Sequence, residues 1–116
     1  MKVGIVGSRR RTDRTAIEAC VVELEPETVV VSGGARGPDQ WAAEMARRRG
    51  MSVIVLGPQL GLVRCYGEAA RRYHARNQEI VDAADRIIAF VAPDRSGGTE
   101  DTIRRARRAG KAVEIR

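Results

Sequence analysis

Three glycine-rich turns, each with an arginine or a helix start beside it, are the segments of this sequence best suited to chemistry. In chain order they are Gly7-Ser8-Arg9, Gly33-Gly34-Ala35-Arg36-Gly37 and Ser96-Gly97-Gly98-Thr99. Glycine lets the backbone come close to a ligand, and the free N–H groups in the first turn of a helix attract anions. The turns therefore predict a site for a phosphorylated small molecule. A nucleotide, or a derivative such as an ADP-ribose-like molecule, is the favoured ligand.

Side chains in and near these turns supply the candidate contacts. Arg36 stands between two glycines at the mouth of a helix, where its guanidinium could hold two phosphate oxygens; the alternative is a surface arginine that closes a turn. Arg9 directly follows the first glycine turn and is expected to face the ligand, whereas Arg10 and Arg11 are expected to be solvated. The full set of expected ligand contacts is Gly7, Ser8, Arg9, Ser32, Gly33, Gly34, Arg36, Gly37, Asp39, Arg76, Asn77, Gly97, Gly98 and Thr99.

Several of these residues have two open interpretations. The Asp39 carboxylate either faces the ribose of the ligand or supports the first turn of its helix through the helix dipole. Asn77 lies on the expected buried face of a helix, so its amide either ties down a loop or contacts the ligand. Arg76 could reach a phosphate or could be structural. Trp41 could wall the pocket, although a place in the core is favoured. His74 is expected to be exposed, on the face of its helix opposite the one that carries Asn77.

Apolar runs that alternate with segments of helical period must position these turns. The runs cover residues 2–6, 28–32, 52–56, 86–91 and 112–115. Such alternation is typical of βαβ units in a parallel sheet, where turns at the carboxyl ends of the strands converge on one crevice. We therefore predict an α/β fold. It consists of a single Rossmann-like domain over residues 1–116, with an open, mostly parallel five-stranded sheet, helices on both faces and residues 112–115 at an edge.

Capping signals set the expected helix boundaries. The expected starts and spans are Thr12 or Asp13 for the first helix, Pro38 for the second, residues 67–83 for the third and Thr99 to Ala109 for the fourth. Thr99 is expected to cap its helix and to donate to a phosphate. The loop from residue 57 to residue 67 is a candidate lid or specificity segment.

Two common phosphate-binding motifs are absent, since no G-x-G-x-x-G follows the first strand and no G-x-x-x-x-G-K-[ST] occurs. ATP hydrolysis is therefore not expected. The sequence instead carries G-S-R at 7–9, S-G-G-A-R-G-P-D at 32–39, R-N at 76–77 and G-T at 98–99. Together these motifs resemble the SLOG superfamily of Rossmann-like nucleotide-binding domains, and most closely its short YspA/YpsA-related members. More distantly they resemble the LOG phosphoribohydrolases and DprA, a DNA-processing protein that loads a recombinase on single strands.

The resemblance implies a sensor or accessory module that binds a nucleotide at the carboxyl edge of the sheet, as a homodimer or higher homo-oligomer. The hydrolase branch carries P-G-G-x-G-T-x-x-E, whose glutamate helps to cleave an N-glycosidic bond. Aligned on the G-T pair, that position holds Thr102, which cannot do carboxylate chemistry. Glu100 and Asp101 could act in its place as catalytic residues, or could simply complement the helix dipole. A nucleoside monophosphate N-glycoside hydrolase and a DprA-like single-stranded DNA-binding accessory protein are therefore the alternatives.

The charge of the chain leaves the question of a nucleic-acid partner open. A net charge of +6 would favour a polyanion. Nineteen of the 21 basic residues are arginines, however, which is the bias expected of any protein from a GC-rich genome. Aromatic residues make up only 3% of the chain, so a base-stacking platform is poorly supplied. Solvated helix faces are the favoured interpretation and a nucleic-acid surface is the alternative.

Length and composition set the remaining bounds. At 116 residues and 43% apolar content, the chain can bury one core. No stretch approaches the roughly 20 apolar residues of a membrane span, so we expect a cytoplasmic protein with no membrane partner. Cys20 and Cys65 lack metal-ligand spacing, and Cys20 is expected in the core. We expect neither a metal nor a cofactor.

Overall fold

Nine helices and strands follow one another in strict alternation in the computed structural model, which describes residues 1–58, 60–61 and 65–116. The strands are β1 (Lys2–Gly7), β2 (Val29–Ser32), β3 (Val53–Val55), β4 (Arg86–Phe90) and β5 (Ala112–Ile115). The helices are α1 (Arg14–Glu23), α2 (Pro38–Arg48), α3 (Tyr66–Ala83) and α4 (Gly98–Arg108). Each expected element is present, with boundaries that differ from the expected ones by at most two residues.

All five strands form one parallel sheet in the order β3-β2-β1-β4-β5. The central strand β1 pairs with β2 through Val3 opposite Val30, and with β4 through Ile5 opposite Ile88. The predicted α/β fold with a five-stranded Rossmann-like sheet is therefore confirmed, and the sheet is wholly parallel. The chain passes from β1 outwards to β2 and β3 on one side, and then crosses to β4 and β5 on the other side. The strand order therefore reverses between β1 and β4. Open α/β sheets bind ligands outside the carboxyl ends of the strands at such a point.

Helices cover both faces of the sheet, as predicted. The pair α1 and α2 packs over a core that includes Val3, Ile5 and Cys20. The pair α3 and α4 packs over a second core on the opposite face, which includes Val6 and Ile80. Side chains along β1 thus alternate between the two cores, because successive residues of a strand point to opposite faces. Cys20 lies in the core as expected, and burial raises the pKa of its thiol.

The two edges of the sheet are both accessible. Strand β5 is an edge, as its alternating sequence predicts. Strand β3 is the other edge, and Val55 at its end is 45% exposed. No helix in the described part of the chain is long and apolar enough to cross a membrane.

The helix starts show where capping signals succeed and fail. Helix α2 begins at Pro38, as predicted. Asp13 is the cap position of α1, but its carboxylate accepts hydrogen bonds from Arg11 and makes none to its helix. The prediction that Thr99 caps α4 is wrong, because the helix begins at Gly98 and Gly97 is the cap. Gly97 has a φ of +100°, a backbone conformation that residues with a Cβ rarely adopt. A glycine therefore suits the cap position.

Candidate functional site

A cleft of about 500 Å³ lies beyond the carboxyl ends of β1 and β4, at the point where strand order reverses. The turn after β1, the turn before α4 and one side of α3 form its walls. It brings together nine of the expected ligand contacts, which are Gly7, Ser8, Arg9, Asp39, Arg76, Asn77, Gly97, Gly98 and Thr99. The convergence of three distant segments on one crevice follows from the parallel sheet.

A second cavity of about 330 Å³ adjoins the cleft on the side of β3. Gly33, Gly34 and Arg36 line this cavity and not the larger one. Arg9 and Tyr73 line both cavities, so they mark the boundary between them. The two cavities lie side by side at the carboxyl edge of the sheet, and we refer to them together as the groove.

Two expected contacts, Ser32 and Gly37, line neither cavity. The Ser32 hydroxyl is buried, donates to the carbonyl of Asp39 at 2.9 Å and accepts from the N–H of Gly34 at 3.1 Å. Gly37 caps α2 with a φ of +91°. Both residues therefore shape the turn that carries Arg36 and do not face the groove.

Asp39 ties the turn after β1 to the start of α2. Its buried carboxylate accepts a hydrogen bond from the backbone N–H of Gly7 at 3.1 Å. Burial raises the pKa of Asp39 to about 6, and the charge of Arg76 and the backbone groups of Gly7 and Gly33 oppose that rise. Asp39 stands in the first turn of α2, where its charge complements the helix dipole, and it also lines the cleft. The bond to Gly7, 32 residues away in sequence, is a further contact that neither interpretation included.

The close packing of the start of α2 against the end of β1 explains why residue 7 is glycine. A Cβ at Gly7 would lie 2.5 Å from the Cβ of Pro38 and 3.1 Å from the Cβ of Phe90. Such distances are far inside van der Waals contact, so any side chain there would push α2 away from the sheet. The glycine allows the first turn of α2 to approach the end of β1.

Arg76 is buried and hydrogen-bonded in the floor of the groove. Its Nη1 donates to the carbonyl of Gly33 at 2.7 Å and its Nε donates to Oδ1 of Asn77 at 3.1 Å. The guanidinium also lies over the ring of Tyr73, 5.7 Å from the ring centroid. Burial lowers the pKa of Arg76, and the nearby Asp39 partly opposes that effect. Of its two interpretations, the structure favours the structural one, because the guanidinium holds the turn after β2.

Asn77 continues this chain of contacts to α4. Its Nδ2 donates to Oδ2 of Asp101 at 3.1 Å, and the same carboxylate oxygen accepts from Nε of Arg105 at 2.8 Å. Although burial alone would raise the pKa of Asp101, the hydrogen bonds from Arg105 and Asn77 lower it. The Asn77 amide therefore ties α3 to the start of α4, and with it one wall of the cleft to the other.

The two carboxylates considered as catalytic, Glu100 and Asp101, are held in ion pairs and do not line either cavity. Both oxygens of Glu100 accept from Arg95, at 2.9 Å from Nε and 3.0 Å from Nη2. Arg95 has a φ of +54°, in the left-handed region that non-glycine residues seldom occupy. The residues of α4 that do line the cleft are Gly98, Thr99 and Thr102, none of which carries a carboxylate.

The arginines around the groove differ in what they bind. Arg9 and Arg36 are exposed and, among the described residues, make no hydrogen bond or ion pair. Arg10 lines the cleft and bonds Asp94 at 2.8 Å and Ser96 at 3.3 Å. The expectation that Arg11 is solvated is wrong, since it donates to the carbonyls of residues 91 and 116 at 3.1 and 2.9 Å. Arg9 and Arg36 are thus the guanidiniums available to a ligand.

Two tyrosines and the histidine complete the site. Tyr66 belongs to the expected lid or specificity segment, whereas Tyr73 was not expected at the ligand. His74 is exposed as expected, but the expectation that it lies on the face away from the site is wrong. Tyr66, Tyr73 and His74 all line the cleft. The seven-residue spacing of the tyrosines, two helical turns, is the signal that could have placed them on one face of α3. Trp41 instead packs against the core, as favoured. The candidate lid at residues 57–67 lies partly outside the described residues, at 59 and 62–64.

Comparison with known proteins points to one family. A family model described as "DNA recombination-mediator protein A" matches residues 1–73, more than half of the chain. The X-ray structure of DNA processing protein A (DprA) from Streptococcus pneumoniae is similar at a TM-score of 0.77 and 25% sequence identity, over 98% of this chain and 49% of that chain. The chain thus spans about half the length of that protein. No match was found among curated proteins.

Proposed function

Because the chain belongs to the DNA recombination-mediator protein A family, we propose that its groove binds single-stranded DNA and that the domain acts as an accessory in DNA processing. The observation that carries the proposal is the pair of exposed arginines on the rim of the groove, Arg9 and Arg36, which have no hydrogen-bond or ion-pair partner in the part of the chain that the structure describes. Both lie within residues 1–73, which the family model matches. The DprA-like alternative is therefore better supported than the small-nucleotide interpretation.

Charge and backbone geometry favour phosphate groups as the primary contacts. The net charge of +6 attracts a polyanion, and contacts to phosphates supply much of the affinity of proteins for nucleic acid. A Cβ at Gly98 would meet nothing within 4 Å, so the backbone at the start of α4 is open to a close approach. A phosphate could thus reach the N–H groups of α4 on one side and a guanidinium on the other.

The shape of the groove favours a single strand over a duplex. Two concave sites, of about 500 and 330 Å³, lie side by side at the carboxyl edge of the sheet. Proteins that bind single strands use such positively charged grooves, in which the backbone follows the groove and the bases enter it. A duplex presents its phosphates on a convex surface and keeps its bases stacked inside.

Binding of a fluorescent 12-mer of thymidine at 50 mM salt, followed by anisotropy, tests the proposal. We expect Arg36→Ala and Arg9→Ala each to weaken binding about tenfold, since a hydrogen bond to a charged group contributes about 1.5 kcal/mol or more. Each variant should also reduce the dependence of binding on salt, by about 0.7 in the slope of log K against log salt for each lost phosphate contact.

Arg108→Ala is the matched control, because it removes the same charge near the amino ends of the strands, away from the groove. Arg108 is the last residue of α4, which starts at the carboxyl edge and runs back towards the amino ends of the strands. It should weaken binding less than twofold. A wild-type protein that shows no binding at 50 mM salt, or equal losses in all three variants, would refute the proposal.

Binding of a small nucleotide is the second candidate, and the size of the cleft favours it. A cavity of about 500 Å³ at the switch point of the sheet falls within the usual range of small-molecule sites. Thermal unfolding with nucleoside monophosphates, ADP-ribose and NAD tests it, since a ligand at 100 times its Kd stabilises the fold by about 2.7 kcal/mol. A shift with one of these and none with the 12-mer would replace the first proposal by the second.

Three earlier expectations remain predictions alongside the proposal. They are the closer relationship to YspA/YpsA-related proteins, the single domain over residues 1–116 and the homo-oligomer. Hydrolysis of an N-glycosidic bond is not part of the proposal, because Glu100 and Asp101 are paired with arginines and lie outside both cavities.

A further inference from the structure

The aromatic residues of the chain are divided between the core and the groove. Trp41 packs against the core and Phe90 is 1% exposed within it. Both tyrosines of the chain instead line the cleft, and Tyr66 is 90% exposed. An aromatic ring so far out of the core contributes little to folding, because it removes almost no apolar surface from water. Its position at the mouth of the cleft is thus unexplained by stability.

From this division we infer that Tyr66 and Tyr73 each stack on a base of one bound single strand, so that the groove recognises bases as well as phosphates. The inference rests on the proposed DNA-binding function and adds the bases to its ligand. Bases of any type have a flat face, so stacking on tyrosine gives affinity without a sequence requirement.

The spacing of the tyrosines requires unpaired, separated bases. Seven residues of α-helix correspond to about 10 Å along the helix axis, whereas successive bases in a duplex strand are about 3.4 Å apart. Both residues belong to α3 and line the same cleft. Two bases that stack on the two rings therefore cannot also be neighbours in a continuous stack, which a single strand permits and a duplex does not.

Tyr73 is held in place for this role. The guanidinium of Arg76 lies over its ring at 5.7 Å and is itself anchored to the carbonyl of Gly33. A ring fixed on one side by a buried arginine loses little conformational freedom when a base approaches from the groove. Tyr66, by contrast, is exposed at the first turn of α3 and would become ordered on binding.

Arg9 provides the phosphate contact that belongs with such an arrangement. It lines both cavities, as Tyr73 does, and is exposed. A phosphate attached to a base on Tyr73 would lie at the same boundary, within the surroundings of the Arg9 guanidinium. The groove therefore offers an exposed basic group beside one of the two base positions.

A comparison of a thymidine 12-mer with a 12-mer of abasic sites tests the inference, because the abasic strand has the same phosphates and no bases. We expect the wild-type protein to bind the thymidine strand at least tenfold more tightly, since each stacked base contributes a factor of about five to more than a hundred. Tyr66→Leu and Tyr73→Leu should each weaken binding of the thymidine strand at least fivefold and leave binding of the abasic strand unchanged.

Tyr66→Phe and Tyr73→Phe are the matched controls, because phenylalanine keeps the ring and removes the hydroxyl. Both should bind the thymidine strand within twofold of wild type. Equal affinity of the wild type for the two strands would overturn the stacking inference while the DNA-binding proposal stands. Losses in the Phe variants as large as in the Leu variants would also overturn it. Absence of binding to either strand would refute both proposals. Since Tyr66 is exposed, its variants should fold as the wild type does, which circular dichroism can verify.

Discussion

Arginines lie on both the floor and the rim of the groove, but the one on the floor, Arg76, is buried and those on the rim are exposed. On the floor, Asp39, Arg76 and Asn77 are buried, and each is hydrogen-bonded to another part of the protein. On the rim, Arg9 and Arg36 are exposed and have no such partner among the described residues. A buried polar or charged group needs a partner within the protein, because it has lost its contact with water. An exposed arginine is hydrated and can exchange that water for a ligand.

This difference separates two roles, holding the site together and binding a ligand. The single motif at residues 32–39 contains a residue of each kind, Asp39 and Arg36. The floor residues fix the three turns relative to one another, from the end of β1 through Gly33 and α3 to the start of α4. The rim residues use the surface that results. Loss of a floor residue should therefore reduce the stability of the fold, and loss of a rim residue should reduce affinity alone.

The largest expected effect on stability is that of Arg76→Ala. It removes the hydrogen bonds of the buried guanidinium to the carbonyl of Gly33 and to Asn77, and it takes a positive charge away from the buried carboxylate of Asp39. Since leaving a buried polar group without its partner costs about 1–3 kcal/mol, we expect a total loss of about 3 kcal/mol. Urea denaturation at pH 7.5 measures the free energy of unfolding. Arg36→Ala, on the rim, should change it by less than about 0.5 kcal/mol. Similar values for the two variants would remove the distinction between floor and rim.

A smaller effect is expected from glycine to alanine changes in the two regions. At Gly33 a Cβ would lie 2.6 Å from Nη1 of Arg76 and 2.8 Å from Oδ2 of Asp39, so Gly33→Ala should destabilise the fold by about 1–3 kcal/mol. At Gly98 a Cβ meets nothing within 4 Å, and Gly98→Ala should leave stability nearly unchanged. Thermal unfolding compares the two variants. If Gly98→Ala lowers the affinity for the thymidine 12-mer without lowering stability, the open backbone at the start of α4 contacts the bound strand.

The smallest expected effect is the change in the free energy of unfolding per pH unit that results from titration of Asp39. Its pKa in the folded state is about 6, above its usual value of 3.8, so its contribution to stability is present below about pH 4 and is lost as the pH rises through 6. The free energy of unfolding of the wild type should therefore fall relative to that of Asp39→Asn, by at most about 1.4 kcal/mol per pH unit. Urea denaturation at pH 4, 5, 6 and 7 measures the difference. A difference that is constant across this range would contradict a titrating Asp39.

The sequence by itself determined the features that depend on local physics. The alternation of apolar runs with helical periods identified all five strands and four helices of the described fold. Pro38 marked the start of α2, because its fixed φ suits the first helical position. The glycine turns followed the strands and so had to lie at the carboxyl edge, since all parallel strands end on the same side. Backbone preferences and periodicity of this kind act within a few residues.

Only the tertiary structure decided which residues face a ligand and which hold the site together. Asp39 binds the backbone at Gly7, and Arg76 binds the carbonyl of Gly33, 43 residues away in sequence. No local pattern encodes those pairings, because they depend on how α2 and α3 pack against opposite faces of the sheet. The same packing brings Tyr66 and Tyr73 to the glycine turns. Residue types predict which chemistry a chain can carry, whereas burial and long-range contacts determine which of those residues remain free to perform it.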